Sequence, residues 1–288
     1  MTDTTDRSST AEADTGVEEG LAAARDVTPT VALVTGASSG IGKELARLLV
    51  RDGWTVLAAA EDSAIHDAAA ELSVNGGIVE PFQVDLTHPD GIEWLWDQAT
   101  QGGARDVDLV ALNAGVGAGG RSFVEIPLEE DLQLVRLNVT SVVHLAKLAT
   151  TAMSARGHGR LLFTSSVAAT MPAPYLATYA ASKSFVQSFS EALRGELKDS
   201  GVVVTALQPG PTDTNFFRRA QMELTTRVGR GSKDDPATVA RQGYLAVLDA
   251  DDKVVAGNPL NKVQVASTRL LPEPVRAAVH SLLTKPQR

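Results

Sequence analysis

The sequence predicts an α/β fold: a single doubly wound domain with a six- to seven-stranded parallel sheet and helices on both faces. Three observations carry this. Short apolar, β-branched runs recur along the chain, as strands buried on both faces require. Segments of helical periodicity separate them, which implies βαβ units and a parallel sheet. A glycine-rich turn follows the first run and precedes the first helical segment, at the place where such sheets receive ligands.

The elements follow in order. Val31–Thr35 is the first strand, and Ile41–Arg51 is a helix with apolar residues at helical spacing. Thr55–Ala60 is a strand, Ala64–Leu72 a helix and Ile78–Gln83 a third strand. His88–Thr100 reads as a helix, Val107–Asn113 as a fourth strand and Leu128–Ala155 as a long helix. Gly159–Ser165, the long helix Thr178–Asp199 and the strand Val202–Gln208 complete the regular alternation. Beyond it the pattern loosens through Pro209–Asp235, which holds the pair Phe216-Phe217. Pro236–Leu248 is a helix with proline in its favoured first turn, and Lys253–Ala256 is a candidate seventh strand. Pro259–Leu271 and Pro274–Leu283 read as two more short helices, each opening with proline. Residues 29–258 thus form the folded body and 259–288 a helical extension.

Composition limits the function. The chain has 288 residues, 43% hydrophobic and 21% charged, which fits a globular protein with a real core. A net charge of −9 argues against nucleic-acid binding, which needs clustered positive charge. There are no cysteines, so disulfides, thiolate metal sites and cysteine nucleophiles are excluded. No metal site is expected. Residues 1–28 carry seven acids and two bases and few large apolar residues, and read as a disordered acidic tail. That stretch resembles neither a signal nor a transit peptide, and the expectation is a cytoplasmic protein. No apolar run reaches the roughly 18–20 residues that span a bilayer. An apolar stripe over Val263–Leu283 is read as packing against the domain or a subunit rather than against a membrane.

Two segments carry the chemistry. Thr35-Gly36-Ala37-Ser38-Ser39-Gly40-Ile41-Gly42 joins the first strand to the first helix. Glycine lets backbone approach a ligand, and the helix start offers free N–H groups and the positive end of its dipole to a pyrophosphate. The second segment is Ser165-Ser166 followed by Tyr179-Ala180-Ala181-Ser182-Lys183. Tyr179 and Lys183 are four apart and share a helix face. A phenol ordinarily titrates near pH 10, and a neighbouring ammonium favours its ionised form. Ser166 sits at the end of a strand, where its hydroxyl is placed to hold a carbonyl oxygen. A packed ring beside a solvated amine is the bland reading of this pair, and it does not account for the serine and the turn together.

The spacing Thr-Gly-x-x-x-Gly-Ile-Gly and the later Ser…Tyr-x-x-x-Lys resemble the short-chain dehydrogenases/reductases, over about residues 30–256. The resemblance implies an NAD(P)-dependent oxidoreductase that interconverts a secondary alcohol and a ketone or aldehyde by hydride transfer. It selects Ser166 over Ser165 and makes Asn138, Ser166, Tyr179 and Lys183 the catalytic set, with Asn138 holding a water beside the lysine. It makes Asn113-Ala114-Gly115 the element that stabilises the sheet and borders the cofactor. It places Asp85, with Leu86, at the adenine, although Asp85 also reads as a cap for the helix near His88. It sets Pro209, Gly210, Thr212 and Thr214 on the nicotinamide, joined by Tyr179 and Lys183. Gly36, Ser38, Ser39, Gly40, Ile41 and Gly42 form the phosphate turn.

Cofactor choice rests on the end of the second strand, where an acid bonds the ribose of NAD and arginine accepts the 2′-phosphate of NADP. Ala60 holds the position usually acidic, and Glu61 follows where arginine often stands; Ser39 also occupies a position that is often Arg. NAD(H) is favoured, with NADP(H) as the alternative. Val116–Gly120, Val167–Tyr175 and Phe216-Phe217 imply an apolar pocket for a small-molecule carbonyl or alcohol, with Val167, Met171 and Leu176 among its residues. Assembly as a homodimer or homotetramer through the two long helices is expected from the family. A rival reading, a dinucleotide-binding regulator without turnover, fits poorly with retention of Ser166, Tyr179, Lys183 and Asn138.

Overall fold

A computed structural model of the chain describes residues 30–74, 76–220, 222 and 225–259, and beyond these 261, 262, 265, 281 and 284–286. The acidic segment 1–28 and most of the two predicted C-terminal helices lie outside the described residues.

Seven parallel strands form one sheet in the order β3-β2-β1-β4-β5-β6-β7. The strands are β1 Val31–Thr35, β2 Thr55–Ala60, β3 Val79–Gln83, β4 Leu109–Leu112, β5 Gly159–Thr164, β6 Val202–Pro209 and β7 Lys253–Ala256. The helices between them are α1 Gly40–Arg51, α2 Ala64–Leu72, α3 Pro89–Thr100, α4 Leu128–Val135, α5 Ser141–Arg156 and α6 Ala177–Glu196. The short α7 Phe216–Arg219 and α8 Arg227–Arg230 precede α9 Pro236–Leu248. Each predicted strand and helix in the described residues has its counterpart, with ends shifted by a few residues. The loose stretch after Gln208 contains the two single-turn helices that periodicity cannot reveal. The predicted long helix over Leu128–Ala155 is continuous, with a π turn at Arg136–Thr140 between α4 and α5.

The sheet is buried on both faces because strand side chains alternate. One register row runs Leu57, Leu33, Val110, Leu161, Val204 across five strands. It packs against Leu95 of α3, Leu145 and Ala149 of α5 and Val186 of α6. The opposite face presents Ala32, Val34, Val56 and Ala58 to Leu45 and Leu49 of α1, Ile65 of α2 and Val239 and Tyr244 of α9. Small residues on that face let α1 and α9 approach closely. Tyr244 is fully buried, and its hydroxyl donates to Asp52 Oδ2 at 2.8 Å, at the end of α1. Arg160, on β5, donates to the Val247 and Leu248 carbonyls that end α9, at 2.7 and 3.1 Å.

Strand order reverses between β1 and β4, and there the connections leave to opposite faces. The crevice of such a sheet lies at that point, outside the carboxyl ends of the strands. Thr35, at the end of β1 and 2% exposed, spans the gap. Its hydroxyl donates to Ala111 O at 3.1 Å and accepts from the backbone N–H groups of Asn113 and Ala114 at 3.0 Å each. Thr35→Val keeps the shape and removes both functions, leaving the Ala114 N–H unmatched. The expected cost is about 1–3 kcal/mol, read as a lower urea midpoint with an unchanged m value.

Candidate active site

The glycine-rich turn brings β1 into α1 directly above the sheet. Gly36 has a φ of +68°, and a Cβ there would lie 3.0 Å from Ala114 Cα. A Cβ on Gly42 would strike the Gly36 carbonyl and the Asn113 amide. Gly42 therefore serves the packing of α1 onto the turn, while Gly36, Ser38, Ser39, Gly40 and Ile41 line the crevice. Ser39 caps the 12-residue α1 without a side-chain hydrogen bond, and the first turn holds no acid. The positive end of the helix dipole is left for a ligand.

The next strands add the rest of the floor. Ser38 donates to Asp62 Oδ2 at 3.1 Å, which ties the turn to the loop after β2. Glu61 is exposed beside it, and both acids line the crevice. Sequence reasoning singled out Glu61 and passed over Asp62, though its adjacency was a usable signal. Val84 and Leu86 lie on the wall. Asp85 does not: its carboxylate accepts from the Thr87 N–H and hydroxyl at 2.8 Å each. Asn113 joins three strands, donating to Thr35 O at 3.0 Å and accepting from Thr164 Oγ1 at 3.2 Å. Ala114 and Gly115 follow it along the floor.

Ser166, Tyr179 and Lys183 meet at one end of this floor. Ser165 turns away, its hydroxyl donating to Lys183 O at 3.1 Å. Ser166 accepts from the Ala168 N–H at 3.1 Å and lies beside the Tyr179 phenol, whose ionised form its hydroxyl favours. Lys183 donates to Thr164 O at 2.8 Å. Asn138, on the π turn, donates to Val116 O at 2.9 Å and Ser182 Oγ at 3.1 Å, and accepts from the Val116 N–H at 2.9 Å. Both its amide hydrogens are thus used within the protein. A Cβ on Gly115 would lie 3.1 Å from Asn138 Oδ1 and 3.3 Å from Lys183 Nζ, so both groups flank that glycine. Thr164 and Ser182 carry no motif of their own, and only the fold brings them in.

Burial sets the electrostatics. It pushes the Tyr179 phenol up to about 12, against the opposing hydrogen bond from Ser166. It pulls Lys183 down to about 8. The loss of water outweighs the opposing contact with Ser166, because a buried charge is poorly solvated. At neutral pH the phenol therefore holds its proton and the lysine is mostly charged.

The C-terminal half closes the crevice. Pro209, Gly210, Thr212 and Thr214 line it, with Thr214 above Gly40. Val116, Val167, Ala168, Leu176, Phe216, Phe217 and Met222 give its far end an apolar lining, whereas Met171 is buried off the wall. Thr284 also lines it, donating to Pro174 O at 2.6 Å, a contact across 110 residues that no local pattern announces. The cavity holds about 270 Å³. A second cavity beyond Thr214 brings Arg218 near Ser39, together with Glu44 and Asp213. Among the described residues, no group of three or more His, Asp or Glu is arranged to hold a metal ion, and no helix is long and apolar enough to cross a membrane.

Burial of the Lys183 ammonium makes folding depend on pH. A lysine free in the unfolded chain titrates near 10.5, so between pH 8 and 10.5 the unfolded state binds more protons. Lys183 thus opposes folding fully below pH 8, and stability gains as pH rises through that window. Lys183→Met is expected to flatten this rise. Urea midpoints of both proteins at pH 7, 8, 9 and 10, without nucleotide, are the check; parallel profiles would contradict the assignment.

Comparison with known proteins agrees with the geometry. The family model for short chain dehydrogenases matches residues 30–224. "Probable oxidoreductase EphD" of Mycobacterium tuberculosis is 35% identical over 219 residues, 75% of this chain. This chain spans 36% of that relative's length. The 1-deoxy-11-beta-hydroxypentalenate dehydrogenase of Streptomyces exfoliatus is 38% identical over 186 residues, 64% of this chain and 67% of the relative. A short-chain dehydrogenase from Sphingobium yanoikuyae, solved with NADPH, superposes with a TM-score of 0.73 at 27% identity, covering 84% of this chain and 94% of that one. A parallel sheet whose strand order reverses beside its glycine-rich turn, and a family match over two thirds of the sequence, place this chain in the short-chain dehydrogenase family.

Proposed function

We propose that the chain is a nicotinamide-dinucleotide-dependent oxidoreductase that interconverts a neutral, apolar secondary alcohol and its ketone. The observation that carries this reading is the Tyr179 phenol, beside Ser166 and one helical turn from Lys183, in the same crevice as the start of α1, which has no side-chain cap.

The crevice suits a dinucleotide. Backbone donors at Ser39–Ile41 would hold the pyrophosphate, Val84 and Leu86 would flank the adenine, and Pro209, Thr212 and Thr214 would lie on the nicotinamide side. The Sphingobium neighbour was solved with NADPH; in this chain Glu61 and Asp62 border the ribose end, and a 2′-phosphate there would meet two carboxylates, which supports NAD(H). A bound nicotinamide supplies or accepts the hydride. The chain's own residues handle the oxygen and the proton. Ser166 accepts from the Ala168 N–H, and its own hydroxyl hydrogen, directed at the Tyr179 phenol, would turn to the substrate oxygen when one is bound. Tyr179, protonated at neutral pH, gives its proton to that oxygen in reduction. Lys183, anchored on Thr164 O, keeps further N–H groups for a ribose hydroxyl and for returning the proton to the phenol. Asn138 acts by position, clamping Val116 to Ser182 so that Gly115 lies against Lys183 without a side chain between; a water beside it would complete the relay to solvent.

The substrate end supports an uncharged apolar ligand. Its described lining has no arginine or histidine, and Lys183 is its single cation. Among the described lining residues, a carboxylate or phosphate on the substrate would find no cation beyond Lys183.

A homodimer or homotetramer is part of the proposal. Leu128, Leu132 and Val135 on α4, Val143 on α5 and Phe185 on α6 are large and exposed. On the same helices, buried Asp131 Oδ1 and Gln187 Oε1 have no hydrogen-bond partner. A second copy would cover this face. Leu132→Glu should lower the mass seen in sedimentation velocity; a parent that is already monomeric at micromolar concentration contradicts the proposal.

The chemical reading is tested by steady-state reduction of a ketone panel, followed by nicotinamide absorbance. Tyr179→Phe should lose about 10²–10⁴-fold in kcat while binding dinucleotide as the parent does. In calorimetric titration NADH should bind more tightly than NADPH, and Glu61→Arg should narrow or reverse that difference. Near-parental turnover by Tyr179→Phe would remove it as the proton donor, and tighter NADPH binding by the parent would overturn the role given to the two acids.

A further inference from the structure

One ring forms the wall of the crevice beside Tyr179. Phe216 opens α7, with its ring centroid 5.1 Å from that of Tyr179 and the planes inclined at 53°. Phe217 supports it from the side, 5.3 Å away and nearly perpendicular at 87°. The tip of the ring rests on Gly117. A Cβ built there would strike Phe216 Cζ and lie 2.7 Å from Cε2. Gly117 does not have the left-handed φ that would itself favour glycine. The ring, and not the backbone conformation, is what requires glycine at this position. Gly117 belongs to the loop after Asn113-Ala114-Gly115 and Phe216 to the segment after Pro209-Gly210, so two distant segments meet as notch and knob. Gly117, Tyr179, Phe216 and Phe217 all line the cavity.

Resting on the reading above, we propose that Phe216, seated in the notch left by Gly117, sets the size limit for the substrate group that lies beside the Tyr179 hydroxyl. Gly117, Tyr179 and Phe217 bound the ring on three sides, so it has no free space to swing into when a wide ligand enters. A ketone with a narrow apolar substituent fits along the ring face, and one with a fused or branched substituent at the carbonyl collides with it. Phe216 and Gly117 are specificity-determining residues, and the effect of each depends on the other.

The test uses cyclohexanone as the narrow probe and trans-1-decalone as the wide one, with NADH, and reads the ratio of their kcat/KM values. Phe216→Ala removes the wall and should raise the decalone-to-cyclohexanone ratio about tenfold or more, within the range a hydrophobic pocket achieves. Gly117→Ala drives the ring out of its notch into the crevice and should lower the ratio by a similar factor. In the Phe216→Ala background the added methyl meets no ring, so the double variant should match Phe216→Ala alone. A merely structural loss would scale both ketones equally and leave the ratio unmoved. Ratios unchanged in Phe216→Ala would overturn the proposal, as would a double variant that retains the full effect of Gly117→Ala. Should Gly117→Ala fail to fold, Phe216→Leu, with a smaller side chain and an intact notch, should give a ratio between those of the parent and Phe216→Ala, and a ratio at the parental value would count against the wall. If the parent reduces neither ketone, the oxidoreductase reading fails. The ratio of the two dissociation constants, measured by titration calorimetry, then decides the wall by the same criteria.

Discussion

Thr35, Asn113 and Thr164 bind the carboxyl ends of β1, β4 and β5 to one another, and the site is built on that junction. Where the strand order of a parallel sheet reverses, the connections leave to opposite faces, and backbone groups beyond the last paired residues are left unmatched. The Thr35 hydroxyl answers three of them, and the Asn113 amide bridges to strands on both sides. The Thr164 carbonyl, held in place by the same strand, receives the Lys183 ammonium. A shift of β4 would therefore move the glycine-rich turn, the floor of the crevice and the lysine together.

That rigidity allows a charged amine and a phenol to be buried side by side. Burial disfavours the charged form of both, raising Tyr179 and lowering Lys183. The energetic cost is borne by the fold, and the return is a phenol that keeps its proton in a place sheltered from water. Ser166 and Ala168 fix the direction of the hydroxyl that faces it. The π turn around Asn138 belongs to the same economy of fixed positions: an extra residue in the helix brings an amide under Val116 and Ser182 that a regular helix would rotate elsewhere.

The far end of the crevice has a different character. Its walls come from loops and single-turn helices, and Phe216, Phe217, Leu176 and Met222 depend on one another more than on the sheet. Catalytic geometry on strands and ligand shape on the loops around them is the division of labour that lets one scaffold serve many substrates.

Alternation of apolar strands with helical segments was enough to determine the sheet, its parallel pairing and the place of the glycine-rich turn, because burial on both faces and helix periodicity are local and repetitive. The pairing of Tyr179 with Lys183 was legible for the same reason: four residues on a helix share a face. Asp85 makes a local contact that motif matching does not announce, its carboxylate accepting from the Thr87 N–H and hydroxyl. Only the tertiary structure determined that burial raises the phenol and lowers the lysine, because both effects depend on how much water the whole fold excludes. It alone brought in Asp62, Thr164, Ser182 and Thr284, and it alone seated Phe216 on Gly117. These contacts join segments from about 20 to more than 100 residues apart. The side chains involved have no periodicity to announce them, and their positions follow from the packing of every element between.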